Sequence, residues 1–465
     1  EKVYQQWLNV HLISGTAPDI VEKGKAKMAQ GEYTARFFIP LGEYVDDPNP
    51  YHKGTDLENV PWRDTLIDGM RGGFDPNLQD YYAIPTSFFT QRLFYNQDLL
   101  EEIYGTNVPP QTLGTLLDYC EKVREYAEKN DLTLFPIAGS SYIKTYFRDR
   151  YRVPFTYSFH KKVDINRDGY CAARESFGAF EAGILSFDNP RIKGWHEAVK
   201  SIASHFAKGW MAMDRQQAAF LFVQGDAAII ASGSWDAESL FKQADFDIII
   251  KDVPLPGPGE KYSEFDPVRA NEAQTAAGAV FGVYKFSSHK KWAIDFLQFL
   301  TSRKYNEQFN LAANWIPVTV GAEPKEKMKP FMPIAEGYSW GTSLDFGGQS
   351  TLKNWYEGKL WLYLQDEIAY ENFSSNVMVY IRDERYGVGR VWFEKYLDLS
   401  REARVTDRLL SVLSLKQLTE DLSPTDDALL QGQYDAALIK QVQLNNAEGL
   451  KESYRRLIGE PMPVY

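Results

Sequence analysis

The stretch Asp164-Ile-Asn166-Arg-Asp168-Gly169-Tyr170-Cys171-Ala-Ala-Arg-Glu175 combines residue types and spacing that point directly to chemistry. Asp164, Asn166 and Asp168 set three oxygen donors on one side of a tight turn. Gly169 accommodates the strained backbone, Tyr170 offers its main-chain carbonyl, and Glu175 can close the shell with both carboxylate oxygens. This is the D-x-N-x-D-G-x5-E arrangement of a calcium loop, in which a hard cation takes oxygen ligands. An alanine at the ninth place leaves that ligand to water, and Cys171 at the eighth reads as a small hydrophobe rather than a redox group. A solvated acidic turn is the competing reading, but the constrained places in register favour one structural Ca2+. A paired calcium sensor is disfavoured, because there is one such loop and Arg152–Lys162 reads as extended. The ion is expected to pin a surface segment.

No motif suggests catalysis. The chain has no phosphate-binding glycine loop, no G-x-G-x-x-G opening a helix, no H-E-x-x-H and no G-x-S-x-G. His11, His52, His160, His196, His205 and His289 are scattered, without ligand spacing. Cys120 and Cys171 are the two cysteines, too few for a zinc cluster, and the sequence leaves open whether they pair. These absences argue against an enzyme.

The elements that must position such residues follow an α/β pattern, short β-rich runs alternating with longer helical ones. Ala17–Val21 reads as a helix end leading into a strand, and Tyr81–Phe94 as an apolar run broken at Pro85. Thr112 is the expected N-cap of a helix to about Lys129, with Leu113, Leu116, Leu117, Cys120 and Val123 on one face. A second helical unit is expected from Asn189. Ala227–Ala231, Phe246–Val253 and Ala276–Tyr284 read as strands, and Lys290–Thr301 as a helix. Beyond about Met328 the chain is mainly helical. At 465 residues it is long enough for two to four domains. Fifty-one basic against 63 acidic residues give a net charge of −12, which argues against a nucleic-acid or anionic-membrane binder. No apolar run approaches the ~18–20 residues that span a bilayer. Aromatic residues make up 14% of the chain, which suits a large core or a surface for flat sugar rings. The chain begins at Glu1 with no initiator Met and no apolar leader, so a targeting segment, if one existed, has been removed.

Several segments, in order, resemble the extracellular solute-binding proteins of bacterial ABC importers, specifically the sugar-binding group that includes maltose-binding protein. They are Ser14–Val21; Tyr82–Pro85 with Leu93–Leu100; Pro109–Thr112; Phe222–Ile229 with Gly233-Ser234-Trp235; Phe281–Tyr284 with Ala293–Leu300; and Asn314–Val318. The resemblance implies a two-lobed periplasmic-binding-protein fold with interlobe crossovers and a helical C-terminal extension. Residues 1–90 and 280–325 would form the first lobe. Residues 91–279 and 326–465 would form the second, carrying the loop at 164–175. A strand and most of a helix that normally precede the Ser14–Val21 segment are missing, so the sequence is a fragment or the first lobe is incomplete. The tail from about Arg385 is longer than usual.

The resemblance also implies a carbohydrate, an oligosaccharide or glycoside, held in an interlobe cleft and delivered to a membrane permease by a monomeric, non-enzymatic receptor. Its place would be periplasmic or extracellular, with a lipid anchor left open. Trp235, at a strand's carboxyl end, is expected to stack on the sugar. Glu22 and Lys23 after the first strand, Thr86 and Ser87 after Pro85, and Ser141 and Tyr142 from the second lobe should face the cleft. Trp340 and Trp355 form a later aromatic group with Trp361. The rivals are a polysaccharide-degrading enzyme with an aromatic cleft and a receptor for a non-sugar solute.

Overall fold

A computed structural model describes residues 2–23, 32–75, 78, 80–164, 171, 173–273, 275–338, 350–383 and 405–458. Its described strands are β1 (Ile20–Glu22), β2 (Phe74–Asp75), β3 (Asp80–Tyr81), β4 (Ile84–Phe88), β5 (Gln91–Asn96), β6 (Phe135–Ala138), β7 (Ala227–Gly233), β8 (Ile248–Lys251), β9 (Ala277–Val283) and β10 (Ile316–Pro317). They form two four-stranded sheets, ordered β1-β9-β4-β10 and β6-β7-β5-β8, beside a small β2-β3 hairpin. β9 runs antiparallel to β1 and β4, with Val21 opposite Gly282 and Ile84 opposite Phe281. In the second sheet β5 pairs antiparallel with β7 and β8, and β6 lies parallel to β7.

The central strand β7, Ala-Ala-Ile-Ile-Ala-Ser-Gly, is buried at every position, as a strand covered on both faces requires. One cover is the helix Leu113–Lys129, which starts with a reciprocal capping box between Thr112 and Thr115 and buries Leu113, Leu116, Tyr119, Cys120, Val123 and Ala127. The helices Ser141–Thr156 and Pro190–Ala203 add Phe147, Tyr151, Phe155, Trp195 and Ile202 to the same core. In the first sheet's unit, Trp62 is fully buried and its Nε1 donates to Thr301 Oγ1 at 2.9 Å.

Two departures from the sequence-based expectation are physical. The segment 152–162 is helical: Ser141–Thr156 is one helix, followed by the 3-10 turn Tyr157–Phe159 and the short helix His160–Val163. Pro154 sits in the last turn of the long helix, where a missing N–H removes a single intrahelical bond. β4 continues through Pro85 to Phe88 instead of breaking there. The pairing that the sequence leaves open does not form: Cys120 and Cys171 are not joined in a disulfide, and Cys120 is buried, which pushes its thiol pKa up.

Among the described residues, three segments pass between the two sheets. β4 continues into β5 through Phe89-Thr90, β8 leads back to β9, and the chain after β10 returns through Glu326–Phe331 to the helices Ser350–Leu364 and Tyr370–Arg382. A buried ion pair ties all three. Arg92 on β5 makes a two-pronged contact with Glu272, Nη1 to Oε1 at 2.8 Å and Nη2 to Oε2 at 2.7 Å. It also donates to the carbonyls of Pro330, Met332 and Gln91. Glu272 accepts in addition from Ile334 N at 3.0 Å and from Arg150 at 2.7 Å.

The helical C-terminal region is a hairpin of 405–419 and Pro424–Ile458, joined by a small core of Leu413, Leu430 and Ala437. The longer helix seats Ile439 against the cluster of Leu8, Phe37, Phe38, Tyr82 and Tyr284, and Asp435 pairs with Lys285 at 2.6 Å. It also comes against the helix Ala173–Glu181. Its side-chain contacts thus include the unit of the first sheet, whereas the sequence groups it with the second lobe.

Two buried histidines set a pH dependence. His196 Nδ1 lies 2.7 Å from Ile192 O, which can only accept, so Nδ1 carries the proton and Nε2 accepts from Tyr356 Oη at 2.8 Å. Burial pushes the pKa of His196 down to about 4. Burial, helped by Arg124, does the same to His205. The unfolded chain therefore takes up these protons first, and their contribution to stability is complete above about pH 6.5 and is lost as pH falls toward 4. Asp68, pushed up to about 6 by burial, acts in the opposite sense between 6 and its unfolded value. The melting temperature should fall between pH 6.5 and 4.5, and His205→Gln should flatten that slope; a profile flat over this range would contradict the assignment.

Candidate ligand-binding cleft

The crossing strands floor a cleft of about 380 Å³ between the two sheets. Its first-sheet side is Phe89, Thr90, Thr275 and Ala276, and its second-sheet side comes from Trp235 and the helix Ser141–Thr156 through Tyr146, Asp149, Arg150, Arg152 and Val153. Asn271 and Glu272 complete it from the segment leading to β9.

The aromatic wall is centred on Phe89. Trp235 meets it edge-on at 6.3 Å and 79°, and Trp315 does so from another side at 5.1 Å and 81°. Two glycines make this possible. A Cβ on Gly278 would lie 2.1 Å from the Phe89 ring, and one on Gly233 would lie 2.3 Å from the Trp235 indole. Trp235 therefore lies back over the end of β7, lines the cleft and remains 40% exposed.

The polar floor belongs to a buried charge network. Arg150 pairs with Glu272 and Asp252, and Arg269 pairs with Asp252 from the other side at 2.6 Å. Burial alone would raise the pKa of Asp252, but Arg150, Arg92 and Arg269 outweigh it and hold the carboxyl below its ordinary value. Tyr146 and Arg150, one helical turn apart, point the same way. Tyr146 Oη, Arg150 Nε and Asn271 Oδ1 are buried and find no hydrogen-bond partner among the described residues. Asn271 is oriented by its Nδ2, which donates to Ala335 O. Buried polar atoms left unmatched are costly, and these three belong to residues that line the cleft.

The sequence-selected residues divide. Trp235 lines the cleft, and Tyr142 stands behind it, its hydroxyl accepting from Gln91 Nε2 with the Arg215 guanidinium 5.8 Å over its ring. Ser141 is exposed at the start of its helix. Thr86 and Ser87 are fully buried, and their hydroxyls donate to Ala279 O and Asn310 Oδ1, so they brace β4 instead of facing a ligand. Glu22 ends β1 and Lys23 follows it, both outside this lining; Lys23 sits 3.9 Å from Asp75, and burial lowers its pKa even though Asp75 opposes the shift. Trp355 stacks on Tyr380 at 5.1 Å and 19°, away from the cleft. Trp340 lies outside the described residues.

Of the calcium loop, Asn166, Asp168 and Tyr170 also lie outside the described residues. Asp164 and Glu175, the first and twelfth positions, are both buried, and the loop is framed by the helices His160–Val163 and Ala173–Glu181. Asp164 Oδ2 is 3.3 Å from His160 Nε2, and Cys171 Sγ is 3.4 Å from Nδ1 of the same ring. Among the described residues no group of three metal-ligating side chains occurs.

Sequence reading missed Phe89, Tyr146, Arg150, Asn271 and Glu272. The four-residue spacing of Tyr142, Tyr146 and Arg150 was an available signal for the helix face; Asn271 and Glu272 follow a Gly/Pro-rich connector without periodicity.

Two α/β units joined by crossing strands, with an aromatic-walled and polar-floored cleft between them, define a two-lobed solute-binding architecture. The match of residues 4–333 to the bacterial extracellular solute-binding protein family model shows that the chain belongs to that family. No curated protein matches the chain. Among solved structures it is similar to apo RafE from Streptococcus pneumoniae, with a TM-score of 0.55 and 13% identity over 81% of this chain and 86% of that one. It is also similar to a cyclo/maltodextrin-binding protein complexed with maltotetraose, with a TM-score of 0.52 and 13% identity over 81% and 85%. A third is the bacterial solute receptor AcbH, described as having an exclusive substrate preference for β-D-galactopyranose, with a TM-score of 0.50 and 13% identity over 81% and 88%. Among the described residues no helix is long and apolar enough to cross a membrane.

The Gly278–Phe89 contact is testable without a ligand. Gly278→Ala should cost about 1–3 kcal/mol in urea unfolding, the usual range for overpacking. Combining it with Phe89→Ala should recover most of that loss in a double-mutant cycle. Additive losses would mean that the ring does not occupy the space over Gly278.

Proposed function

We propose that the chain is the sugar-binding receptor subunit of an ABC importer, taking an oligosaccharide or glycoside into the cleft and handing it to a membrane permease. The observation that carries this reading is the pairing of an exposed aromatic face, Trp235 beside Phe89, with the buried, unmatched polar atoms of Tyr146, Arg150 and Asn271. Sugar rings present C–H faces to aromatic groups and hydroxyls to polar ones, and a hydroxyl both donates and accepts. Where movement of the lobes brings them to the cleft surface, it can answer the donors Tyr146 Oη and Arg150 Nε and the acceptor Asn271 Oδ1. The sugars named for the similar structures make mono- and oligosaccharides the first ligands to try. In this reading the protein binds without chemical turnover and acts outside the cytoplasmic membrane, either tethered by a lipid or free.

A structural Ca2+ at 164–175 belongs to the same proposal. Two buried carboxylates at the ends of a loop framed by helices suit a hard divalent cation that pins the segment. Asp164, Asn166, Asp168, Tyr170 and Glu175 would hold it, and the ion would offset the charge of the acidic side chains gathered there.

A thermal-shift screen of the purified protein against mono- and oligosaccharides should give a rise of several degrees with one sugar class and no consumption of that sugar. Consumption would make the protein an enzyme, and silence across the panel would move the ligand out of the sugars. With the sugar found, Trp235→Ala should weaken calorimetric binding by about 2 kcal/mol, the scale of an aromatic hot spot. Unchanged affinity would remove Trp235 from the site. Chelation should lower the melting temperature, and Asp164→Ala should abolish that sensitivity; a melting curve indifferent to chelator would leave the loop without an ion.

A further inference from the structure

We propose that Arg92 and Glu272 are positioning residues of the interlobe hinge, fixing all three crossing segments to the second sheet's unit so that closure turns on the first-sheet side of the pair. The proposal rests on the two-lobed receptor reading. Arg92 belongs to β5, opposite Ser232 of β7, and so moves with the second sheet. Glu272 lies on the return to β9, and its main-chain N–H donates to Ile334 O at 2.7 Å. The third crossing is caught through the carbonyls of Pro330 and Met332, which accept from Arg92, and Phe331 O accepts from Thr90 Oγ1 at 2.6 Å. From Glu272 the network continues through Arg150 to the helix Ser141–Thr156 and, at Asp252, to the end of β8.

The side-chain partners of the pair therefore come from β5, a helix on the second sheet and two crossing segments, and no described side-chain bond of Arg92 or Glu272 reaches a strand of the first sheet. The main-chain carbonyl of Glu272 accepts from Thr275 N and Ala276 N within the turn that leads into β9. On the first-sheet side β4 and β9 pair as far as Phe88 opposite Ala277, and between that ladder and the clamp these two crossings are joined by the main-chain bond from Phe89 N to Ala276 O at 2.8 Å. A bidentate guanidinium–carboxylate pair resists shear because both prongs must break together, whereas a single main-chain bond permits rotation. Hinges are short segments that absorb backbone change between stiff bodies, and the stretch around Phe89 is such a segment between β4 and the clamp. Arg150 and Glu272 also line the cleft, so the fixed side of the hinge and the polar floor of the site are one piece.

The test uses the full chain without ligand, so its failure leaves the receptor reading untouched. In native-state hydrogen exchange of the wild-type protein, amides at 92–95, 271–272 and 332–334 should open together with β7, and not with β1 or β9. In Glu272→Gln those three segments should speed up together by about tenfold or more, while the first sheet stays unchanged. Spin labels at Lys53→Cys and Glu125→Cys, in a Cys171→Ser background, should report a broader interlobe distance distribution in the same variant. Arg92→Lys keeps the charge but loses the two-pronged fork, and should show the same pattern more weakly. Acceleration confined to the neighbourhood of residue 272 with an unchanged distance distribution would overturn the proposal. So would acceleration spread evenly over both sheets, which marks general stabilisation, and so would wild-type exchange in which the three segments open independently.

Discussion

The structure depends on satisfying one buried guanidinium. Arg92 has five N–H donors, and each has an acceptor: Nε on Pro330 O, Nη1 on Gln91 O and Glu272 Oε1, Nη2 on Glu272 Oε2 and Met332 O. Removing such a charge from water is expensive unless every donor is matched, and replacing a buried ion pair with apolar side chains is often neutral or stabilising. What the pair supplies is geometry. Five acceptors drawn from separate parts of the chain can surround one flat group only when the crossing segments lie in a single arrangement. That arrangement sets where β4 leaves its sheet, and hence where Phe89 and the cleft wall stand.

How much of this was legible in the sequence follows from how local each signal is. The helix from Thr112 to Lys129 was readable because its cap and its apolar face are written within one turn and one period. The buried strand at Ala227 and the turn delivering Trp235 were readable for the same reason. The segment 152–162 was not, since a charged and aromatic stretch containing proline has no evident period, and its helix is held by distant packing of Tyr146, Phe147, Tyr151 and Phe155. Thr86 and Ser87 were chosen because Pro85 looks like the end of a strand. The strand runs three residues further, and this shift turns their hydroxyls inward and brings out Phe89 and Gln91. Glu272 had no local signal, because its role is defined by partners 180 and 62 residues away.

The cleft draws its aromatic wall from both bodies, with Trp235 on the second sheet's side and Phe89 on the first. Phe89 emerges from a first-sheet strand and is shaped by a first-sheet glycine, while Tyr146 and Arg150 belong to a helix of the second sheet. A ligand that needs both must draw the two bodies into register, which is how binding energy becomes shape change in a two-lobed protein.

The C-terminal hairpin adds a mechanical element to this scheme. Its 35-residue helix Pro424–Ile458 rests on the first unit at Ile439 and Asp435 and meets the helix Ala173–Glu181 of the other. Two bodies joined only by a hinge form an open linkage, whereas a stiff rod touching both closes it into a loop. A helix resists stretching, so any rotation of the bodies must be absorbed by slip at one of its two seats. The Lys285–Asp435 seat is partly open to water, which gives the angle between the bodies a dependence on ionic strength that the crossing strands alone would not confer.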